Sequence, residues 1–357
     1  MRIETLLGDL IKINTVNDFE NDKIIDYLES YLKEIGFKTE YKTKCLVMSI
    51  GEKPILSFVG HTDVVSVSND WKYSPFTLTK EGDKLIGRGC ADMKGGIAAF
   101  LYVLKQIDFK KLKRGIRVCF TYDEEIGFSG IKELIANNID FCEYSIVGEP
   151  TNNYPCVGSK GLLEYELIFK GTAVHSSRPI PNESSNENAI LFLNEVLKLN
   201  ELFQKEQCKL FEVPFNTINI GTINGGTNIC TTSDYTKVLL GFRITKNIKD
   251  IDFIKNYMNK LINKYPKVEY KILNEIQPFY NEDCIIDFYE KISNREKKPF
   301  FGVSEASFIN NNRLIIGPGP ITAHENDEFI FKSSLIKTMD SSLKLTTSIQ
   351  ENKNNSK

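Results

Sequence analysis

The stretch ILSFVGHTD, residues 55–63, combines a nearly continuous apolar run with an abrupt polar ending. Two further stretches have the same form: IRVCFTYD at residues 116–123 and YSIVGE at residues 144–149. Apolar runs of this length, separated by helical patterns, are typical of buried strands in an α/β sheet. Because ligands bind at the carboxyl ends of strands in open α/β sheets, the polar residues that end these runs are candidate site residues.

The middle of the chain follows a different order. Strand patterns at 163–169, 217–223, 238–244 and 268–272 are interleaved with helical patterns at 188–199 and 251–262. The order βαββαβ is that of the split βαβ, or ferredoxin-like, arrangement, which forms a small self-contained domain. Since strand patterns and motifs resume near Phe300, we expect residues 163–274 to be inserted into a discontinuous domain made of residues 1–162 and 275–347. The polar segment 348–357 is predicted to be a disordered tail.

The composition is that of a globular protein, with 41% hydrophobic and 26% charged residues in 357. Interspersed charges and a net charge of −2 argue against nucleic acid or a membrane surface as a partner. No apolar run is long enough to span a bilayer, and acids interrupt the N-terminal segment MRIETLLGDLIKI, unlike a signal peptide. The eight cysteines are scattered without a C-x-x-C pair, which predicts reduced thiols and a cytoplasmic location.

Only three histidines occur, and each lies in a segment rich in glycine, acids or small polar residues: His61, His175 and His324. A lone histidine is usually structural, but three of three in such segments favour a functional role. His61 and Asp63 form an H-x-D pair, whose side chains point to the same side in extended chain, so the aspartate can orient a metal-binding imidazole. The alternative is a turn in which Asp63 caps the following element.

Acids stand at three further places where chemistry is expected. Asp92, in the glycine-rich segment GRGCADMKGG, precedes an apolar helical pattern and either caps that helix or bridges two cations. The segment lacks the residue orders of known phosphate-binding loops. Glu124 and Glu125 belong to a run of three acids, whose like charges need cations or protons nearby unless the run is a solvated turn. Glu149 ends another predicted strand.

Together these residues form a donor set suited to two borderline cations such as zinc. The set consists of His61, Asp92, Glu125, Glu149 and His324. Two imidazoles and three carboxylates can serve two ions when one carboxylate is shared. Paired ions lower the pKa of a bound water and polarise a substrate carbonyl, so a free carboxylate has to move the proton. Glu124 is the natural candidate for this general base.

Seven ordered motifs resemble, over nearly the whole chain, the metallopeptidase family of acetylornithine deacetylase, succinyl-diaminopimelate desuccinylase, aminoacylases and related carboxypeptidases. The motifs are VGHTDVV, GRGCADMKGG, TYDEEIGFSG, IVGEPT, AVHSSRP with ENAI, INGGTN and GPGPITAHENDEF. The resemblance implies an α/β zinc-peptidase-like catalytic domain with an inserted ferredoxin-like lid or dimerisation domain. It also implies two Zn²⁺ ions per chain, for which Co²⁺ can substitute, a small-molecule substrate and a homodimer.

The resemblance also implies how the metal ligands divide between the two ions. Asp92 is expected to bridge them. His61 and Glu149 would complete one site, and Glu125 and His324 the other.

Further roles follow from the same resemblance. Glu124 is expected to be the general base and Asp63 to support the metal-binding imidazole. In the inserted domain, His175 is expected to stabilise the oxyanion of the tetrahedral intermediate, often from the partner subunit. Asn228 and Arg243 match positions that hold substrate, and the arginine fork suits a substrate carboxylate. An ordinary surface arginine is the alternative at Arg243, since it leaves the apolar face of its strand.

Within the family, the segments HSSRP, WKYSPF and GPGPITAHENDEF look most like acetylornithine deacetylase. They favour hydrolysis of N-acetyl-L-ornithine to L-ornithine and acetate, a step of arginine biosynthesis. Three departures concern the substrate side: Ser66 replaces a usual proline, PIPNESSNENAI is longer than the usual link, and INGGTNICTTS lacks the common alanine and proline. The alternatives are a desuccinylase, dipeptidase or aminoacylase, or a catalytically silent relative that only binds a ligand.

Overall fold

The chain folds into two units, one of which interrupts the other in sequence. A computed structural model describes residues 2–245, 250–265, 267–281 and 284–351. Unit 1 comprises Met1–Val157, Asn281–Phe300 and Ser304–Lys357. Unit 2 comprises Gly158–Tyr280 and Phe301–Val303.

Unit 1 contains helices and strands from both ends of the chain. Before the interruption they are α1 (Ile3–Lys12), α2 (Asn21–Glu34), β1 (Lys38–Lys42), β2 (Leu46–Ile50), β3 (Leu56–His61), β4 (Thr79–Glu81), β5 (Lys84–Ile86), α3 (Lys94–Leu104), β6 (Ile116–Thr121), α4 (Ser129–Ala136), β7 (Tyr144–Val147) and β8 (Cys156–Ser159). After it they are α8 (Cys284–Ser293), β14 (Lys298–Phe300), β15 (Asn312–Ile315), β16 (Phe329–Phe331) and α9 (Lys332–Glu351).

The main sheet of unit 1 has a parallel centre. Its strand order is β1-β2-β6-β3-β7-β15-β8, and β3, β6, β7 and β15 run parallel to one another. Every residue of β3 is buried, as expected for a strand covered on both faces. The three apolar runs of the sequence therefore end at the same edge of the sheet, as predicted. A smaller antiparallel sheet has the order β16-β5-β4.

Unit 2 is an antiparallel sheet with helices. Its elements are β9 (Gly161–Lys170), α5 (Ser185–Leu197), α6 (Leu199–Phe203), β10 (Thr217–Gly225), β11 (Tyr235–Ile244), α7 (Ile251–Lys264), β12 (Val268–Ile276) and the short β13 (Phe279–Tyr280). The strand order β10-β11-β9-β12 is the split βαβ arrangement. Phe169, Phe192, Phe242 and Met258 from sheet and helices share one buried core. The predicted fold class, an α/β domain with a ferredoxin-like insertion, is confirmed.

The C-terminal helix extends into the segment that the sequence predicts to be disordered. The helix α9 continues to Glu351, so residues 348–351, which we predicted to be disordered, are helical; residues 352–357 lie outside the described residues. Burial of Ile349 explains part of the difference. The Gln350 side-chain amide also accepts a hydrogen bond from the backbone N–H of Arg114 at 3.2 Å and donates one to the backbone carbonyl of Arg114 at 3.0 Å. Within the described ranges, every helix is too short or too polar to cross a bilayer.

Candidate metal centre

The predicted metal ligands and the predicted general base come from strand ends and two loops of unit 1. The carboxyl ends of β3, β6 and β7 carry His61, Glu124–Glu125 and Glu149. Asp92 lies just before α3, and His324 lies in the loop between β15 and β16. The parallel strand ends thus bring together side chains that are far apart in sequence.

His61 lies at the centre of the cluster and is fully buried. Its Nε2 is 3.0 Å from Asp92 Oδ1, 3.9 Å from Glu124 Oε2 and 3.9 Å from Glu149 Oε1. Two groups of ligand atoms, His61–Asp92–Glu125 and His61–Glu124–Glu149, each lie within 4.8 Å of one another. Either group is compact enough to surround one metal ion.

Asp92 lies between the two imidazoles. Its Oδ1 faces His61, while its Oδ2 is 3.5 Å from Nε2 of His324. The same His324 nitrogen is 2.9 Å from Glu125 Oε2. The alternative role as a helix cap is not seen, because Met93 occupies the N-cap position of α3 and no side chain caps it. One oxygen directed at each histidine is the geometry of a bridging carboxylate.

The contacts of His61 place a proton on its Nδ1, so in the neutral ring Nε2 is the acceptor. Its Nδ1 is 3.0 Å from the carbonyl oxygen of Asp63, which can only accept a hydrogen bond, so Nδ1 donates. The Asp63 carboxylate is 3.5 Å from Nδ1, beyond a good hydrogen bond, and accepts instead from the Glu125 N–H at 3.1 Å. In the neutral ring, Nε2 and Asp92 Oδ1 are then two acceptors only 3.0 Å apart. A metal cation or a second ring proton between them removes this conflict.

The cluster has more negative than positive groups. Burial raises the pKa of both Glu124 and Glu149 well above the ordinary value. Hydrogen bonds to Asp92 and Glu125 raise the pKa of His324 to about 10. Glu125 Oε1 is buried and has no hydrogen-bond partner among the described residues. Nitrogen and oxygen donors in this arrangement fit divalent cations.

Three predicted site residues belong to unit 2, and all three are exposed. His175 forms an isolated bridge with Thr231, and its Nδ1 is 2.8 Å from the Ser177 hydroxyl. Asn228 accepts a hydrogen bond from the Cys230 N–H at 2.9 Å. Arg243 leaves the apolar face of β11, as predicted. Their roles remain predictions.

Sequence reasoning missed two buried acids of unit 1. Glu305 accepts a hydrogen bond from the Thr121 hydroxyl at 2.6 Å, at the end of β6, and its Oε2 has no partner among the described residues. Glu328 accepts backbone hydrogen bonds from the loop that carries Asp92. Glu328 lies within the quoted motif AHENDEF, which could have directed attention to it, whereas Glu305 is an isolated acid in a short segment.

The sequence of this chain is similar to those of a known peptidase family and of a known deacetylase. The family described as peptidase family M20/M25/M40 matches residues 57–347. The chain is 31% identical over 337 residues to an acetylornithine deacetylase of Photorhabdus laumondii subsp. laumondii, covering 88% of this chain and 86% of the relative.

Solved structures share the fold at lower identity. An M20 family metallo-carboxypeptidase from Sulfolobus solfataricus has a TM-score of 0.78 at 18% identity, covering 98% of this chain and 100% of the other. A dinuclear metal-binding peptidase of the M20 family from Bacillus subtilis has a TM-score of 0.69 at 13% identity, covering 98% of each chain.

The chain belongs to peptidase family M20/M25/M40. It is a metal-dependent amidohydrolase, as predicted.

Removing metal should destabilise unit 1, because the carboxylate cluster would lose its compensating charge. A chelator is expected to lower the thermal unfolding midpoint, and added Zn²⁺ at 100 times its Kd should restore roughly 2.7 kcal/mol of stability. Asp92→Ala should abolish this response. Asp70→Ala is the matched control, since Asp70 is exposed and outside the cluster. A midpoint of the parent chain that ignores both chelator and Zn²⁺ would contradict the assignment.

Proposed function

We propose that this enzyme hydrolyses the amide bond of N-acyl amino acids, and that N-acetyl-L-ornithine is its substrate, giving L-ornithine and acetate for arginine biosynthesis. The observation that carries the proposal is Asp92, which directs one oxygen at each of two imidazoles in a cluster of further carboxylates. The 31% identity to an acetylornithine deacetylase over most of both chains supports the substrate class.

Two zinc ions fit the donor set, with Co²⁺ as a substitute that accepts the same ligands. Asp92 would bridge them, His61 and Glu149 would complete one site, and Glu125 and His324 would complete the other. When bound, such ions lower the pKa of the attacking water and polarise the acyl carbonyl.

Glu124 moves the proton in this proposal. It takes a proton from the attacking water as the new C–O bond forms, and it gives that proton to the amine nitrogen as the C–N bond breaks. Its side chain is buried, and its Oε2 lies 3.9 Å from Nε2 of His61. Because Glu124 also lies within ligand distance of His61 and Glu149, a ligand role is the competing assignment.

Glu124→Gln separates these two roles. As general base, Glu124 is dispensable for metal binding, so the variant should keep both ions and lose about 10²–10⁴-fold in kcat. If Glu124 is instead a metal ligand, the variant should bind one ion fewer than the parent chain. Metal content and turnover of N-acetylornithine are measured on the same sample. Asp123→Asn is the matched control, because Asp123 is the neighbouring acid and its side chain instead accepts from Ser129; near-normal activity of Glu124→Gln would refute the role.

Side-by-side kinetics test the substrate. The zinc-loaded enzyme is assayed with N-acetyl-L-ornithine, N-succinyl-diaminopimelate and a dipeptide. We expect kcat/KM to be at least about tenfold higher for N-acetylornithine. A site whose polar groups pair with one substrate leaves those groups unpaired when a different substrate binds. A preference for either other compound would reassign the enzyme within its family. Bound metal without any turnover would instead indicate a binding protein.

A homodimer completes the proposal. Unit 2 exposes large apolar side chains, which favour burial against a second subunit: Ile190 and Leu191 of α5, Ile223 of β10 and Ile229. His175 of one subunit would stabilise the oxyanion formed in the other, while Asn228 and Arg243 hold the substrate. The seven cysteines whose side chains the structure describes are all free, which supports a cytoplasmic location.

Mixing two inactive variants tests the shared site. Glu124→Gln and His175→Ala are each expected to be inactive alone. After subunit exchange in equal amounts, half of the dimers contain both chains and one intact site, so roughly a quarter of the parent activity should return. The control is a Glu124→Gln sample taken through the same exchange by itself, which should remain inactive. Full activity of a monomer established by sedimentation, or no recovery after verified exchange, would contradict a contribution across subunits.

A further inference from the structure

The side chain of Glu328 is buried beneath the loop that carries Asp92. Its Oε1 accepts hydrogen bonds from the N–H groups of Ala91 at 2.7 Å and Asp92 at 2.9 Å. Its Oε2 accepts from the Gly89 N–H at 2.9 Å and from Arg88 Nη1 at 2.8 Å. Four donors therefore converge on one carboxylate.

The loop is a concave nest of backbone N–H groups, the kind of feature that binds anions. Gly89 has a φ of +84°, which gives the loop its curvature and which other residues rarely adopt. Buried N–H groups need acceptors, and here the acceptor is the protein's own carboxylate. Both Arg88 and Glu328 are almost completely buried, with exposures of 2% and 1%.

The chain around Glu328 also fixes the loop that carries His324. The Glu328 carbonyl accepts from the Gly87 N–H at 2.9 Å. The next residue, Phe329, donates its N–H to the Thr322 hydroxyl at 3.0 Å, and that hydroxyl donates to the Phe329 carbonyl at 2.7 Å. These two bonds close the loop between Thr322 and Phe329. One short segment is thus joined to the loops of both Asp92 and His324.

We propose that Glu328 is a positioning residue of the metal centre: by holding the backbone N–H of Asp92, it keeps the Asp92 carboxylate between His61 and His324. This inference rests on the proposed function, in which Asp92 bridges the ions. Glu328 acts through Asp92 and not as a ligand, because its own oxygens are occupied by four donors. The competing role is a charge partner for Arg88 alone.

Three variants separate the two roles. Glu328→Gln keeps the shape, but its NH₂ group opposes the N–H donors on one side of the amide, and the variant leaves the buried Arg88 charge unpaired. Arg88→Met keeps the carboxylate and its three backbone bonds. The double variant R88M/E328M lacks both charges and every side-chain oxygen acceptor, so it removes the backbone bonds without leaving a buried charge behind.

Metal affinity of the folded, metal-free chains is the readout. Co²⁺ binding is followed by its visible absorption and Zn²⁺ binding by calorimetry, and circular dichroism verifies folding. Loss of a residue that orients a ligand typically costs about 10–100-fold in metal affinity, so we expect this loss in E328Q and in the double variant. In R88M the affinity should change less than about threefold. In the metal-saturated enzyme, kcat should fall more than KM rises.

The outcomes are distinguishable. Parent-like metal affinity in the double variant, or an equal loss in R88M and E328Q, would overturn the positioning role. If E328Q does not fold, the double variant decides. If the parent chain binds neither Co²⁺ nor Zn²⁺, the proposed function itself fails. If the parent binds two ions and the double variant binds them equally well, only the inference about Glu328 fails.

Discussion

Repulsion among four carboxylates, of which Glu124 and Glu149 are buried and Asp92 and Glu125 are half-buried, is the constraint on which the rest of unit 1 depends. Like charges at such separations cannot all ionise unless cations or protons compensate them. The parallel strands β3, β6 and β7 force the acids together, because their carboxyl ends meet at one edge of the sheet. Two imidazoles offset only part of the charge. The fold therefore produces uncompensated negative charge that favours binding of cations. Bound cations would in turn activate a water molecule at the site.

The glycine-rich segment shows how one sequence pattern can serve a different purpose from the one it suggests. Its order excluded the known phosphate loops, yet the structure forms an anion-binding nest there. Glu328 fills the nest, so no external anion is needed. One of the N–H groups that donate to Glu328 belongs to Asp92 itself. The loop conformation therefore determines the direction of the proposed bridging carboxylate.

The sequence predicted the fold class and singled out acids that lie close together in the structure, because its signals were local. Apolar runs ending in His61, in the acids of residues 123–125 and in Glu149 identified strand ends, and parallel sheets bring such ends together. Glu305 and Glu328 were missed because their roles depend on contacts with Thr121 and with the Asp92 loop, which lie 184 and 236 residues away. The end of α9 was missed because its residues are polar. The sequence does not show that the Gln350 side chain forms two hydrogen bonds with the Arg114 backbone.

The interruption of unit 1 by unit 2 has a consequence for synthesis. His324 follows Glu149 by 175 positions, so a ribosome making about 5–20 residues per second needs roughly 10–35 s to supply it after the acids have emerged. During that interval the proposed site would lack one of its two imidazoles, and the acids must stay hydrated or protonated. In the proposed site, metal loading would wait until residue 324 of 357 has been made, so the insertion would be synthesised before the enzyme can be activated.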